Sequence, residues 1–276
     1  ETTCPYLKYY LDENLTQCPT SHIQVTANNA VDMQLLGFSK EEFSYPKPLA
    51  LIKQILSLYP KNNIYVLDFF SGSATTAHSV MQLNSEDGGN RKYIMVQLPE
   101  VCDEKSEAYK AGYKTICEIG KERIRRAGKK IKEENPNAKD LDIGFRDLKL
   151  DSSCMKDIYY SPNKTTQDLL TQFEDNIKED RTPEDLLFQV MLDMGVMLSS
   201  EIKTLEINGK KVFNVNDGDL VCCFDKNIND EAVTAIAKMQ PLYAVFRDAS
   251  MSTDSVAVNF DQIFETYSPT TTRKII

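Results

Sequence analysis

What this sequence lacks narrows its chemistry early. No apolar run approaches the ~18 residues of a membrane-spanning helix, so no membrane span is expected. There are two histidines, His22 and His78, and seven cysteines with no C-x-x-C pair. Without a Cys/His cluster, no metal site is expected. The odd cysteine count suggests reduced thiols, buried as small hydrophobes, and a cytoplasmic setting. No internal repeat or low-complexity tract appears. The chain begins at Glu1 with neither an initiator Met nor a charged-then-apolar leader, which reads as an excised fragment rather than a mature secreted protein.

The 276 residues, 41% hydrophobic, suffice for one large or two ordinary domains. The net charge of −9 is uneven. Residues 1–150 balance to zero in Lys+Arg against Asp+Glu, and residues 151–276 carry the whole deficit. Phosphate binding needs cationic surface, so nucleic-acid contact by the second half is disfavoured. The halves are expected to do different jobs.

Residues 1–44 are irregular, punctuated by Pro5, Pro19, Asn28-Asn29 and Gly37, with a short helix at Ala30–Leu36. At 45–59, YPKPLALIKQILSLY, Pro48 suits a first helical turn, and Leu51, Ile52, Ile55, Leu56 and Tyr59 form an amphipathic helix face. The next stretch, 64–80, IYVLDFFSGSATTAHSV, reads as a buried strand with Asp68 at its end, a tight turn at Ser71-Gly72-Ser73, and a helix from Ala74. Tyr93–Leu98 is a second strand, so 64–98 is a βαβ unit with a parallel pair and right-handed crossover. A helix over 104–133, interrupted at Gly112 or Gly120, and a third strand at 143–150 follow.

Residues 151–181 read as a polar connection containing a helix at 165–177. Thr182-Pro183-Glu184-Asp185 is a helix N-terminus, with Thr as cap, Pro in the first turn and acids after it. An apolar helical repeat runs from Leu186 to Leu198. Strands are expected at 201–207, 211–215 and 219–224, with a type I′ hairpin at Asn208-Gly209. A helix at 230–239, a strand at 242–247 and a short helix near Asp261–Thr266 complete a compact α/β unit.

A carboxylate at a strand end, facing a small-residue turn and a helix N-terminus, suits a ligand carrying both an amine and a carboxylate. The turn lacks the G-K-[ST] of a Walker A loop and the full G-x-G-x-x-G of a dinucleotide fold. The basic run 121–132, KERIRRAGKKIK, reads either as a solvated helix face or as a phosphate-backbone contact. His78 is expected to be structural. The Met194/Met197 stripe is expected to be core or a dimer face.

In combination, YPKPLALI, DFFSGSATT and VQLPE resemble the S-adenosylmethionine-binding region of amino-methylating DNA methyltransferases. The narrower similarity is to the modification subunit of type III restriction-modification systems, which GFRDLKLDSS at 144–153 and FRDASMSTDSVAVNFDQIF at 246–264 also resemble. The resemblance runs from about residue 20 onward.

It implies an α/β fold: part of a Rossmann-like parallel sheet at 45–150, then a linker at 151–181 and a smaller α/β interaction domain at 182–276. Residues 1–44 would be the remnant of an upstream target-recognition region. Lys47, Pro48 and Leu51 match the helix flanking the cofactor, and Asp68 matches the acid receiving its ammonium. Phe69, Phe70, Ser71, Gly72 and Ser73 match the turn beneath the methionine moiety. Thr75 and Thr76 would bind its carboxylate, and Gln97 and Glu100 match the ribose and adenine region. Ala74 stands where the family often has Gly, and Ala favours ordinary φ/ψ.

The family's Asp/Asn/Ser-Pro-Pro-aromatic catalytic motif is absent from this sequence. No catalytic residue is therefore assigned, and no methyl transfer is expected of the chain alone. The resemblance further implies adenine N6 methylation of double-stranded DNA by the full-length protein, a homodimer, and a restriction endonuclease subunit as partner. A second reading, from another class, is a non-catalytic α/β interaction module whose turn no longer holds cofactor.

Overall fold

The computed structural model describes residues 23–25, 29–43, 45–136, 141–156, 176–247 and 254–276. The chain forms two units, 1–147 and 148–276. The helix expected at 165–177 and the upstream remnant before residue 23 lie largely outside the described residues.

The first unit is built on a parallel strand pair, β1 (Tyr65–Asp68) and β2 (Lys92–Met95), joined by helix α3 (Thr75–Asp87). The register sets Tyr65 beside Lys92 and Asp68 beside Met95. The βαβ reading of 64–98 therefore holds, with one correction. β1 is not a buried strand: Tyr65, Leu67, Ile94, Val96 and Leu98 are exposed along one face. A parallel pair is buried on both faces only where both faces are covered. Here the core lies on the other face.

That core joins Met33, Leu36 and Phe38 of and after α1 (Asn29–Gln34), Ala74, Ala77 and Met81 at α3, and Ile119, Ile124, Ala127 and Ile131 of α5 (Ile116–Glu134). α2 (Leu49–Ser57) packs beside α3, and Pro48 sits at its N-cap rather than inside its first turn. The Asp32 Oδ2 accepts the Leu49 N–H at 2.8 Å, so α1 supplies the cap that Pro48 has no side chain to provide. A short α4 (Glu107–Lys110) precedes α5; the break falls at Gly112, φ +99°, and Gly120 lies inside α5. The strand expected at 143–150 is absent. Ile143 and Phe145 lean on the core and the Tyr93 hydroxyl reaches the Gly144 carbonyl at 3.5 Å, but no ladder forms.

The second unit is a five-stranded sheet, β3 (Ile202–Ile207), β4 (Lys210–Val215), β5 (Leu220–Cys223), β6 (Tyr243–Phe246) and β7 (Thr272–Ile275), in that order. The pairs β3–β4 and β4–β5 are antiparallel, and β5–β6 and β6–β7 are parallel. α6 (Pro183–Asp193) covers one face through Leu186, Leu187, Val190 and Met191. α7 (Asp230–Lys238) and α8 (Asp254–Tyr267) cover the other. Period-two alternation explains why adjacent Cys222 and Cys223 enter opposite cores. Burial pushes both thiols up, Cys223 to about 11 and Cys222 further.

Thr182 and Asp185 cap α6 reciprocally: Thr182 Oγ1 accepts the Asp185 N–H at 3.2 Å, and Asp185 Oδ2 accepts the Thr182 N–H at 2.8 Å. Asn208 and Gly209 both take positive φ, as a type I′ turn requires. Three details differ from expectation. α6 stops before Gly195, φ +68°, which leaves Met197 off the helix and exposed. α8 is longer than the short helix expected near 261–266, and a further strand, β7, follows it. Residues 151–156 and 176–181, read as a connection, contribute Cys154 and Ile177 to the core and pair Met155 with Ile177.

Candidate cofactor site

β1 ends at Asp68, and the chain turns through Phe69–Ser73 into α3. The Asp68 carbonyl accepts the Val96 N–H at 2.8 Å, and the Val96 carbonyl accepts the Ser71 N–H at 3.2 Å, which anchors the turn to the chain leaving β2. The Ala74 N–H closes the turn on the Ser71 carbonyl at 2.7 Å. Gly72 has φ +49°, and Ala74 is left-handed at φ 58°, ψ 39°. Ala74 thus adopts the conformation glycine prefers, instead of the ordinary φ/ψ expected for alanine, held there with only 2% of its surface exposed.

The Asp68 carboxylate faces back across this turn. Its Oδ2 accepts the Thr76 hydroxyl at 2.6 Å and its Oδ1 the Phe70 N–H at 3.2 Å. A carboxylate has about four acceptor positions, so capacity remains for a cationic ligand group. Gln97 is spent on the turn, its Oε1 accepting the Gly72 N–H at 2.8 Å. Thr75 is buried; its hydroxyl accepts from Arg123 and reaches the Lys47 carbonyl at 3.4 Å. The structure therefore gathers Lys47, Asp68, Ser71, Gly72, Ser73, Thr75, Thr76 and Gln97. Phe69 and Phe70 project outward, ring against ring at 5.4 Å, and Pro48 and Leu51 are half-buried beside α3. Glu100 is exposed; its carbonyl accepts the Ile116 N–H at the start of α5, and its side chain has no described partner at the turn.

Helix α3 starts uncapped. Among the described residues no side chain accepts from its first turn, although Thr75 and Thr76 are buried, and His78 is the first N–H to bond back, to the Ala74 carbonyl at 3.3 Å. A buried helix start with unpaired N–H groups is a place for an anion. With Asp68 opposite, the residues present fit a zwitterionic amino-acid moiety.

Sequence reasoning missed what stands behind the turn. Gly120 of α5 packs so closely that a Cβ there would lie 3.2 Å from the Gly72 carbonyl. One turn later Arg123, fully buried, donates from Nη1 to Thr75 Oγ1 at 2.6 Å and Ser73 Oγ at 3.0 Å. The signal was present: Gly120, Arg123, Ile124 and Ala127 share a helical face. Its neighbours in the basic run are also engaged internally. Arg126 bonds Glu122, Tyr113 and the Gly37 carbonyl and lies over the Phe38 ring at 4.2 Å; Lys130 reaches the Leu35 carbonyl and Lys121 pairs with Asp147. Arg125, Lys129 and Lys132 stay exposed, so the run is only partly a solvated face. His78 is buried, and desolvation, reinforced by Arg123, Lys130 and Lys53, lowers its pKa to about 3.

Residues 12–130 match the DNA methylase family. The StyLTI Mod subunit of a type III restriction-modification enzyme from Salmonella typhimurium is 42% identical over 54% of this chain and 22% of its own length. The EcoP15I Mod subunit from Escherichia coli is 32% identical over 71% of this chain and 28% of its own length. Over more than half of its length the chain is similar to modification subunits of type III restriction-modification enzymes. It spans about a quarter of the length of these relatives. The type II methyltransferase M.KpnI of Klebsiella pneumoniae shares 40% identity over 30% of the chain and 20% of its own length. The βαβ unit that forms the candidate site lies within the region matched to the DNA methylase family.

Proposed function

We propose that residues 45–147 are the S-adenosylmethionine-binding part of a Rossmann-like adenine-specific DNA methyltransferase. The observation that carries this reading is the pairing of Asp68, with acceptor capacity left, and the buried uncapped start of α3 across one short turn. The cofactor supplies the transferable methyl group. This chain's residues bind and orient it: Asp68 takes the ammonium, the N–H groups opening α3 take the carboxylate, and Gly72 lets the backbone approach. Lys47, Pro48, Leu51, Phe69 and Phe70 flank the ligand, with Gln97 fixing the turn and Glu100 at the rim toward ribose.

In the full-length protein the substrate is an adenine amine in double-stranded DNA, flipped from the duplex for reaction. The partners are a second modification subunit and the restriction endonuclease subunit, and the acidic unit from 148 onward is the interaction module. Nothing in this chain matches the Asp-Pro-Pro-Tyr-type catalytic motif, so the chain alone transfers no methyl group to DNA.

Calorimetric titration with S-adenosylmethionine tests the assignment. Saturable one-site binding is expected of the chain, lost in Asp68→Ala. Absence of binding favours the interaction-module reading instead. Methylation of adenine in DNA by the purified chain would overturn the claim of inactivity.

A further inference from the structure

Arg123 is the least expected group in the first unit. It is a guanidinium with no exposed surface, set against the turn that forms the candidate site. Its Nη1 donates to Thr75 Oγ1 at 2.6 Å, to Ser73 Oγ at 3.0 Å and to the Ser73 carbonyl at 3.4 Å. Its Nε and Nη2 have no acceptor among the described residues. Asp32 is the carboxylate that acts on it through space, while accepting the Leu49 N–H at 2.8 Å. Burying a cation costs several kcal/mol unless opposite charge and hydrogen bonds offset the lost water. Bracing two hydroxyls needs only a neutral donor. A charge retained here and only partly neutralised points to a ligand anion arriving on the far side of the turn. The residues between are the first of α3, whose buried N–H groups carry the same sign of potential.

We propose that Arg123 is a positioning residue for the carboxylate of the bound amino-acid moiety, acting through Ser73 and Thr75. It fixes the hydroxyls so that the α3 N–H groups stay directed at the carboxylate, and its charge adds to theirs. Gly120 eases this close approach, because a Cβ there would lie 3.2 Å from the Gly72 carbonyl and the turn would have to give by a few tenths of an ångström. The site then reads charge at two ends, Asp68 for the ammonium and the Arg123-backed helix start for the carboxylate.

This inference rests on the cofactor reading above, and the test separates the two. S-adenosylmethionine and its decarboxylated analogue are titrated into the full chain as wild type, Arg123→Gln and Arg123→Lys. The wild type is expected to favour the carboxylate-bearing ligand. Arg123→Gln should weaken S-adenosylmethionine by roughly tenfold or more while leaving the decarboxylated analogue within about twofold, so the preference collapses. Arg123→Lys keeps the charge and should keep much of the preference, which decides the matter if the Gln variant does not fold. Equal losses for both ligands, or a Lys variant with no preference, would show Arg123 to be a brace only. A wild type that binds neither ligand overturns the cofactor reading, and this inference with it.

Discussion

Substituting Ala74 tests whether the left-handed turn is what the structure makes it. For Ala74→Gly, relief of the left-handed conformation gains about 1 kcal/mol. The buried methyl forfeits about 0.8 kcal/mol, and the freer unfolded chain costs about 0.4–1 kcal/mol. Stability should therefore change by no more than about 1 kcal/mol. The turn's N–H groups stay where they are, so cofactor affinity should hold. For Ala74→Val the same φ of 58° becomes a severe strain, because a β-branched side chain is excluded from it. Its added methyls also press on α5, where a Cβ at Gly120 would already lie 3.5 Å from the Ala74 Cβ. Strain and crowding together should cost roughly 3 kcal/mol. Urea unfolding of the first unit gives the stabilities, and calorimetric titration with S-adenosylmethionine gives the affinities. A Val variant as stable and as tight-binding as wild type would refute the turn geometry; so would a Gly variant that no longer binds.

Three further outcomes are expected. Gly120→Ala gains helix propensity of about 1 kcal/mol but must push the Gly72 carbonyl away, so stability should stay near wild type while cofactor affinity falls; unchanged affinity would separate α5 from the site. His78 titrates near 3 in the fold against 6.5 when unfolded, so the unfolded chain binds the extra proton between these values. Its stabilising effect is complete above pH 6.5 and is lost as pH falls toward 3, by roughly 3 kcal/mol over two pH units; His78→Gln should flatten that part of a urea-midpoint-versus-pH curve. In the second unit, Phe264→Ala removes a ring packed edge-on to Phe246 at 6.1 Å and should cost about 3–5 kcal/mol in denaturant unfolding; a loss under 1 kcal/mol would contradict that core.

Much of the fold was legible because local patterns and tertiary packing agree. Thr182-Pro183-Glu184-Asp185 caps a helix in the structure as its chemistry implies, and Asn208-Gly209 makes the hairpin. The strand-turn-helix at 64–80 and its parallel partner were visible from apolar runs and a glycine turn. What failed depends on surroundings. Residues 143–150 have strand-like residues, yet among the described residues they meet the first unit through side chains such as Ile143 and Phe145 and form no ladder. β1 looked buried because its residues are apolar, yet burial requires a covering layer that a run of letters does not display. At the site, Asp68 and the turn were readable in sequence order. Arg123 was not, because it reaches Ser73 across fifty residues and sits in a run of seven basic side chains that conceals one pointing inward.

The most direct measurement of the central claim is amide hydrogen exchange of the chain with and without saturating S-adenosylmethionine. Slowed exchange should centre on residues 69–77, strongest at the Thr75, Thr76 and Ala77 amides that open α3, and should vanish in Asp68→Ala. Exchange at 69–77 unaltered by the ligand, or protection confined to other segments, would contradict the assignment of this turn as the cofactor site.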